Sequence, residues 1–108
     1  MSVKILVLKS QEDVISDVSE IQDSGRVIGY NLKEPRTLNL SRVQNLNEEV
    51  DPNRVSVNFT KWQIFSDDVE YQIPADWVVT ICEPMPRLKQ SYEENVNAEE
   101  RSMSNLSG

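Results

Sequence analysis

Turn residues divide residues 3–83 into short segments with the apolar spacing of β-strands, and this pattern limits the chain to a small all-β fold. An apolar run at residues 3–8 is followed by a polar turn and a second segment at residues 14–21. Asp23-Ser24-Gly25 predicts a hairpin turn, because Gly25 can adopt a positive φ angle. Further segments with this spacing lie at residues 26–32, 36–43, 54–65, 69–73 and 77–82.

Short, closely spaced strands in a chain of 108 residues are typical of one small barrel domain. We therefore predict an all-β fold in which residues 1–86 form a strongly bent, five-stranded antiparallel barrel. Gly29 indicates a bend or bulge in its strand, whereas Lys33-Glu34-Pro35 predicts a strand end.

Two polar segments are expected to lie outside the barrel. Residues 44–53 have the composition of a mobile loop. In the tail, residues 87–108, the spacing of Leu88, Tyr92 and Val96 predicts a short helix over residues 88–96. The polar residues from Asn97 onward are expected to be frayed or disordered.

Side chains that most enzymes need are scarce. The chain has no His and one Cys, and it has neither a Gly-rich phosphate loop nor a metal-ligand motif. Cys82 has no His to activate it as a nucleophile and is expected to be a buried apolar residue. We therefore expect a protein that is not an enzyme, and we assign no catalytic residue, cofactor or metal.

The expected location is the cytoplasm. The N-terminal residues lack the layout of a signal peptide. No apolar stretch approaches the roughly 18 residues that cross a bilayer, so no membrane association is predicted.

The basic residues have two interpretations, a nucleic-acid site or ordinary surface charge, and the charge of the chain bears on both. The chain has 11 Lys and Arg against 18 Asp and Glu, and the net charge of −7 disfavours a general phosphate-binding surface. A local site for RNA or single-stranded nucleic acid is still a candidate, with an Asn side chain reading a base edge. Its residues would be Arg36, Asn39, Arg42, Arg54 and Lys61. The alternative is ordinary surface charge, because acidic residues are interleaved with the basic ones.

Assembly of identical copies is the stronger inference. A small barrel that does not close fully leaves strand edges with unpaired N–H and C=O groups. Residues 77–82 carry little charge that would oppose pairing, and residues 54–65 could present the second edge. The Trp side chains could stack on bases, but we favour packing in the core or between copies. The predicted oligomer interface consists of Val55, Val57, Phe59, Trp77, Val79 and Ile81.

Three stretches of sequence carry a resemblance to a known family. Ile-Leu-Val-Leu-Lys at residues 5–9, followed by residues 14–18, is similar to the opening hairpin of Sm-like proteins. Thr-Leu-Asn-Leu at residues 37–40 is similar to their Asn-Leu segment. Residues 73–84 with the following Leu-Lys and Tyr92 resemble small Sm-like proteins of tailed phages that infect cyanobacteria. The resemblance implies a homo-oligomeric ring, with a pentamer as the first expectation, in the host cytoplasm.

Two functions therefore stand ahead of an enzymatic one. The first is a ring that binds RNA or single-stranded nucleic acid, and the second is a structural or adaptor ring that binds another protein. We expect a charge at Val57 or Val79 to dissociate or unfold the protein. We expect Glu99→Lys, in the polar tail, to be silent.

Overall fold

The chain folds into a single antiparallel sheet followed by a helix, as seen in a computed structural model that describes residues 2–42 and 55–106. The all-β class is confirmed. The predicted mobile loop at residues 44–53 lies outside the described residues. The elements are β1 (Val3–Leu8), β2 (Asp13–Asp23), β3 (Arg26–Arg42), β4 (Val55–Lys61), β5 (Glu70–Pro74), a 3-10 turn (Ala75–Trp77), β6 (Val78–Cys82) and α1 (Pro86–Leu106).

The strand order places β4 and β6 at the two ends of the sheet. The order is β4-β3-β2-β1-β6, and β5 pairs with β3 on the side that β4 also occupies. The β2–β3 hairpin turns through Ser24 and Gly25, whose φ angles of 51° and 78° are those of the turns that match strand twist. This turn confirms the sequence prediction.

Strand β3 continues through Lys33-Glu34-Pro35, so the predicted strand end is wrong. Here β3 contains one residue more than β2, since Ile15 pairs with Arg36 and Asp17 pairs with Lys33. Glu34 adopts a φ of 53°, which lets the strand bulge and bend. Because a bulge interrupts the ladder, it can accept a proline that has no N–H to donate. We call residues 33–36 the β3 bend.

The number of strands also differs from the predicted five. Residues 26–42 form one strand instead of two, whereas β4 ends at Lys61 and residues 62–69 separate it from β5. The Trp62 N–H donates to the Pro35 carbonyl at 3.3 Å, so the chain leaves β4 beside the β3 bend. The sheet therefore has six strands, two of which share β3 as a partner.

The core lies on the concave side of the bent sheet. Its buried members are Leu6, Leu8, Val14, Val18, Leu32 and Ile73, with Tyr30, Trp62, Val78 and Ile81 packed around them. Gly29 lets β5 approach β3, because a Cβ atom there would lie 2.6 Å from the Ile73 carbonyl oxygen. The β2–β3 register shifts next to Gly29, which confirms the predicted irregularity.

The C-terminal helix is longer than the sequence predicted. It begins at Pro86, a residue suited to the first helical position, and continues to Leu106. The prediction of disorder from Asn97 onward is therefore wrong for residues 97–106. Tyr92 on the predicted apolar face is buried, and Leu88 and Val96 are half-buried. Among the described residues, no helix has the length and apolar character that crossing a bilayer requires.

Candidate assembly interface

The residues predicted to join copies lie on or beside the two edge strands. Val55, Val57 and Phe59 belong to β4, while Val79 and Ile81 belong to β6 and Trp77 ends the turn that precedes it. Trp77 is 43% exposed, Val79 64% and Val57 38%. Ile81 packs against the core instead, and Phe59 is half-buried. The candidate interface thus has an exposed apolar side chain at each edge.

The segment between β4 and β5 adds exposed apolar area that the sequence analysis missed. Phe65 is 99% exposed, Ile64 64% and Val69 46%. The alternation at residues 54–65 had predicted that β4 continues through this segment, with Ile64 packed on one face. The adjacent Ser66-Asp67-Asp68 marked the turn, but no pattern in the sequence indicated that two large apolar side chains would stay uncovered.

Arg36, the first candidate nucleic-acid residue, is buried in the β3 bend. It is 3% exposed, and its guanidinium forms ion pairs with Glu34, at 3.2 Å, and with Glu99 of α1. Its Nε donates to the Asn95 side-chain oxygen at 3.3 Å. Because two carboxylates neutralise the guanidinium and the protein covers it, Arg36 holds the helix to the sheet and presents no free charge at the surface.

The other candidate nucleic-acid residues are not gathered into one patch. Asn39 lies on the strand face opposite to Arg36, because the two are three residues apart, and its amide donates to the Thr60 hydroxyl at 3.1 Å. Lys61 pairs in register with Arg36 and donates to the Ser66 carbonyl. Arg42 ends β3. Arg54 lies outside the described residues.

Tyr92 forms the second contact between α1 and the β3 bend. Its ring is 3% exposed and lies 6.4 Å from the Phe59 ring, centroid to centroid. Its hydroxyl donates to the carbonyl oxygens of Glu34, at 2.8 Å, and Lys33, at 3.2 Å. Burial raises the pKa of Tyr92 to about 12. The helical spacing predicted that Tyr92 lies on the apolar face of the helix. The sequence does not show which carbonyl groups accept the hydrogen bond of its hydroxyl.

The buried Ser16 supports the same bend from the sheet side. It is fully buried, and its hydroxyl lies 2.9 Å from the Lys33 carbonyl oxygen and 3.1 Å from that of Asp17. A buried hydroxyl needs a hydrogen-bond partner, and these carbonyl groups provide it. Ser16 and Tyr92 therefore both bind backbone carbonyl groups at the β3 bend and stabilise it.

A shallow groove of about 330 Å³ runs between β4 and the start of α1. Val57 and Phe59 line one wall, Met85 and Leu88 line the other, and Arg87 and Ser91 complete the lining. Met85 is 74% exposed, so the groove is open and apolar. We call it the β4–α1 groove.

In the described part of the chain, no three His, Cys, Asp or Glu side chains lie close enough together to hold a metal ion. Cys82 is exposed on β6, which corrects the expectation that it is buried. The features that we consider for function are the β4 and β6 edges, the exposed apolar side chains and the β4–α1 groove.

Comparison with known proteins identifies a family but no activity. The model of a family of unknown function, DUF6561, matches residues 1–97, which span the whole sheet and the first half of α1. None of the curated proteins matches the sequence.

Proposed function

Since the chain belongs to this family of unknown function, we propose from its own geometry that it is a non-enzymatic, homo-oligomeric ring protein. In this proposal, β4 of one copy pairs with β6 of the next, and the ring is a structural or adaptor element that binds another protein. Joining two different edges is a heterologous contact, which gives a ring when the rotation between neighbouring copies closes.

The observation that carries the proposal is the state of the two edge strands. In the described residues, β4 pairs only with β3 and β6 pairs only with β1, and β5 likewise has a single strand partner. An edge strand of this kind can pair with a strand of another copy. Natural proteins usually protect such edges with charge, proline or a covering element. On β6, by contrast, the apolar residue Val79 is 64% exposed to solvent, and Trp77, which directly precedes the strand, is 43% exposed.

The small size of the sheet supports the same conclusion. The buried core cluster contains six residues, Leu6, Leu8, Val14, Val18, Leu32 and Ile73. Small domains with limited cores commonly gain stability by oligomerisation. Covering the edges in an assembly would bury further apolar area at roughly 25 cal/mol per Å².

The resemblance to Sm-like proteins of cyanobacterial phages supports a ring in particular. It suggests a pentamer, a phage origin and a place in the cytoplasm of the host cell. A bent sheet in which β4 and β6 are edge strands is the kind of subunit that this assembly requires.

Val79→Asp tests the assembly directly. A carboxylate at the centre of β6 would lose its water when the neighbouring edge pairs, which should raise the dissociation constant by at least about tenfold. Sedimentation or light scattering from nanomolar to micromolar concentration measures the change. Ser19→Asp, on the exposed face of the central strand β2, is the matched control and should assemble normally. A wild-type protein that stays monomeric at micromolar concentration would refute the proposal.

Binding of RNA or single-stranded nucleic acid is the alternative function, and the geometry gives it less support. Arg36 is neutralised by Glu34 and Glu99, and Asn39 lies on the other face of β3. The net charge of −7 also opposes phosphate binding. A titration with labelled oligo-U and oligo-A at low salt decides the point: tight, salt-dependent binding would favour the alternative.

A further inference from the structure

We propose that the β4–α1 groove receives the Asp76–Trp77 corner of a neighbouring copy, with Asp76 paired to Arg87. This inference rests on the proposed edge-to-edge assembly. It identifies the side chains that stabilise the contact between neighbouring copies. The occupant is a second copy of the chain, and the site is the groove that α1 builds next to β4.

The position of the groove fits an incoming edge strand. Val57 and Phe59 contribute both to the sheet edge and to the groove wall, so a strand that pairs with β4 brings its flanking residues to this place. Met85 and Leu88 extend the apolar surface beyond the sheet. The groove thus continues the β4 edge and can bind side chains that adjoin the paired strand.

The corner before β6 presents a suitable side chain. Trp77 ends the 3-10 turn and directly precedes β6, so it reaches the partner surface wherever β6 pairs. Trp77 is 43% exposed in the single copy. Burial of a Trp side chain in an apolar pocket is a common source of binding energy at protein interfaces, so this side chain is suited to an interface. Within one copy, β3, β2 and β1 stand between the β4 and β6 edges, so Trp77 is offered to another molecule.

Charge complementarity favours this occupant over another protein of arbitrary sequence. Arg87 lies in the groove lining, and Asp76 is the neighbour of Trp77. Both are exposed, and within residues 2–42 and 55–106 neither takes part in an ion pair. The Arg87 guanidinium lies beside the apolar groove, and the Asp76 carboxylate lies beside the apolar Trp77. An ion pair between them would orient the Asp76–Trp77 corner in the groove.

A charge exchange tests the pairing. Arg87→Glu and Asp76→Lys should each raise the concentration of half-assembly by at least about tenfold, because each places like charges together. The double variant should restore most of the wild-type value. Lys89→Glu is the matched control, since it makes the same charge change on an exposed residue outside the groove and should have little effect. Circular dichroism confirms that each variant is folded.

The outcomes separate this inference from the proposed function. If wild type assembles but the single variants behave like it, or the double variant shows no rescue, the Asp76–Arg87 contact is refuted and the edge pairing stands. If wild type does not assemble at all, the edge pairing fails and this contact fails with it.

Fluorescence tests the placement of Trp77 independently of charge. Trp62→Phe leaves Trp77 as the single Trp, and it sacrifices no hydrogen bond, because the buried Trp62 indole nitrogen has no partner in the described structure. Emission from Trp77 should shift to shorter wavelength as this variant assembles. Assembly without any shift would show that Trp77 stays in water and would overturn the proposed placement.

Discussion

Tyr92→Phe is the sharpest test of how α1 is attached to the sheet. The substitution removes one hydroxyl and leaves the ring, so the contact with the Phe59 ring 6.4 Å away is preserved. The Lys33 carbonyl keeps its hydrogen bond from Ser16 at 2.9 Å, whereas the Glu34 carbonyl loses its 2.8 Å partner. The predicted effect therefore comes from one partly buried acceptor group.

The magnitude follows from that acceptor. Leaving a buried polar group without a partner costs about 1–3 kcal/mol of unfolding free energy, and for this partly buried acceptor we expect about 1–2 kcal/mol. For a domain of this size, such a loss lowers the Tm by about 5–15 °C. Thermal and urea unfolding followed by circular dichroism would measure it.

Alkaline pH provides a second, independent readout. Burial raises the pKa of Tyr92 from 10.0 to about 12, so the folded state favours the neutral phenol. The resulting stability is complete below pH 10, the ordinary value, and is lost as the pH rises toward about 12. Two pKa units correspond to about 2–3 kcal/mol. Wild type should therefore lose this amount between pH 10 and 12 relative to Tyr92→Phe.

Tyr71→Phe is the matched control. The Tyr71 hydroxyl also donates to a backbone carbonyl, that of Asp68 at 2.8 Å, but this hydrogen bond is exposed to solvent. Water can replace the lost donor, so the unfolding free energy should change by less than about 1 kcal/mol. Equal stability of wild type and Tyr92→Phe at pH 7, together with parallel pH profiles, would show that the hydroxyl does not anchor the helix.

Two further substitutions test the packing of β5 and the buried ion pairs. Gly29→Ala should cost about 1–3 kcal/mol in urea unfolding, because its Cβ would lie 2.6 Å from the Ile73 carbonyl oxygen; unchanged stability would mean that β5 shifts freely. Glu99→Lys should cost about 1–2 kcal/mol, because it puts a cation beside the buried Arg36. The cost is moderate since Glu99 is 45% exposed and Glu34 still pairs with Arg36, and a silent variant would contradict the ion pair.

Glu99 also shows why the sequence analysis reached the wrong expectation for the tail. Residues 97–106 are polar, and a polar segment usually lacks the apolar surface that orders a helix. The helix is anchored instead by two contacts with the β3 bend: Tyr92 donates to the Glu34 carbonyl, and Glu99 pairs with the buried Arg36. Those contacts join residues about sixty positions apart, and no local pattern in the sequence reveals them.

The β3 bend illustrates the same limit within the sheet. Turn chemistry predicted the hairpin at Ser24-Gly25 because its φ angles depend on the turn residues themselves. Lys33-Glu34-Pro35 has the composition of a strand end, but its backbone partners come from β2, from β5, from the segment between β4 and β5, and from α1. The sequence could therefore show where the chain departs from regular strand geometry, but not whether the strand ends or bends.

The candidate interface was more accessible to sequence reasoning. Low charge at residues 77–82 and alternation at residues 54–65 predicted exposed apolar strands, and these segments contain the two edge strands. The sequence could not show which basic residues are available to bind a ligand. Arg36, for example, is neutralised in part by Glu99, a residue of α1 that is distant in the sequence. Apolar spacing reports local structure, whereas the availability of a charge depends on distant partners.

The attachment of α1 to the β3 bend sets an order of events during synthesis. Residues 92–99 leave the ribosome well after residues 33–36, so the Glu34 carbonyl and the Arg36 side chain lack Tyr92 and Glu99 as partners until the helix has been made. We therefore expect the bend, and with it the nascent sheet, to stay loosely ordered and its edges unable to recruit a neighbour until α1 has been synthesised. Pulsed hydrogen exchange that finds the amides of the bend protected before the helix has been made would contradict this sequence of steps.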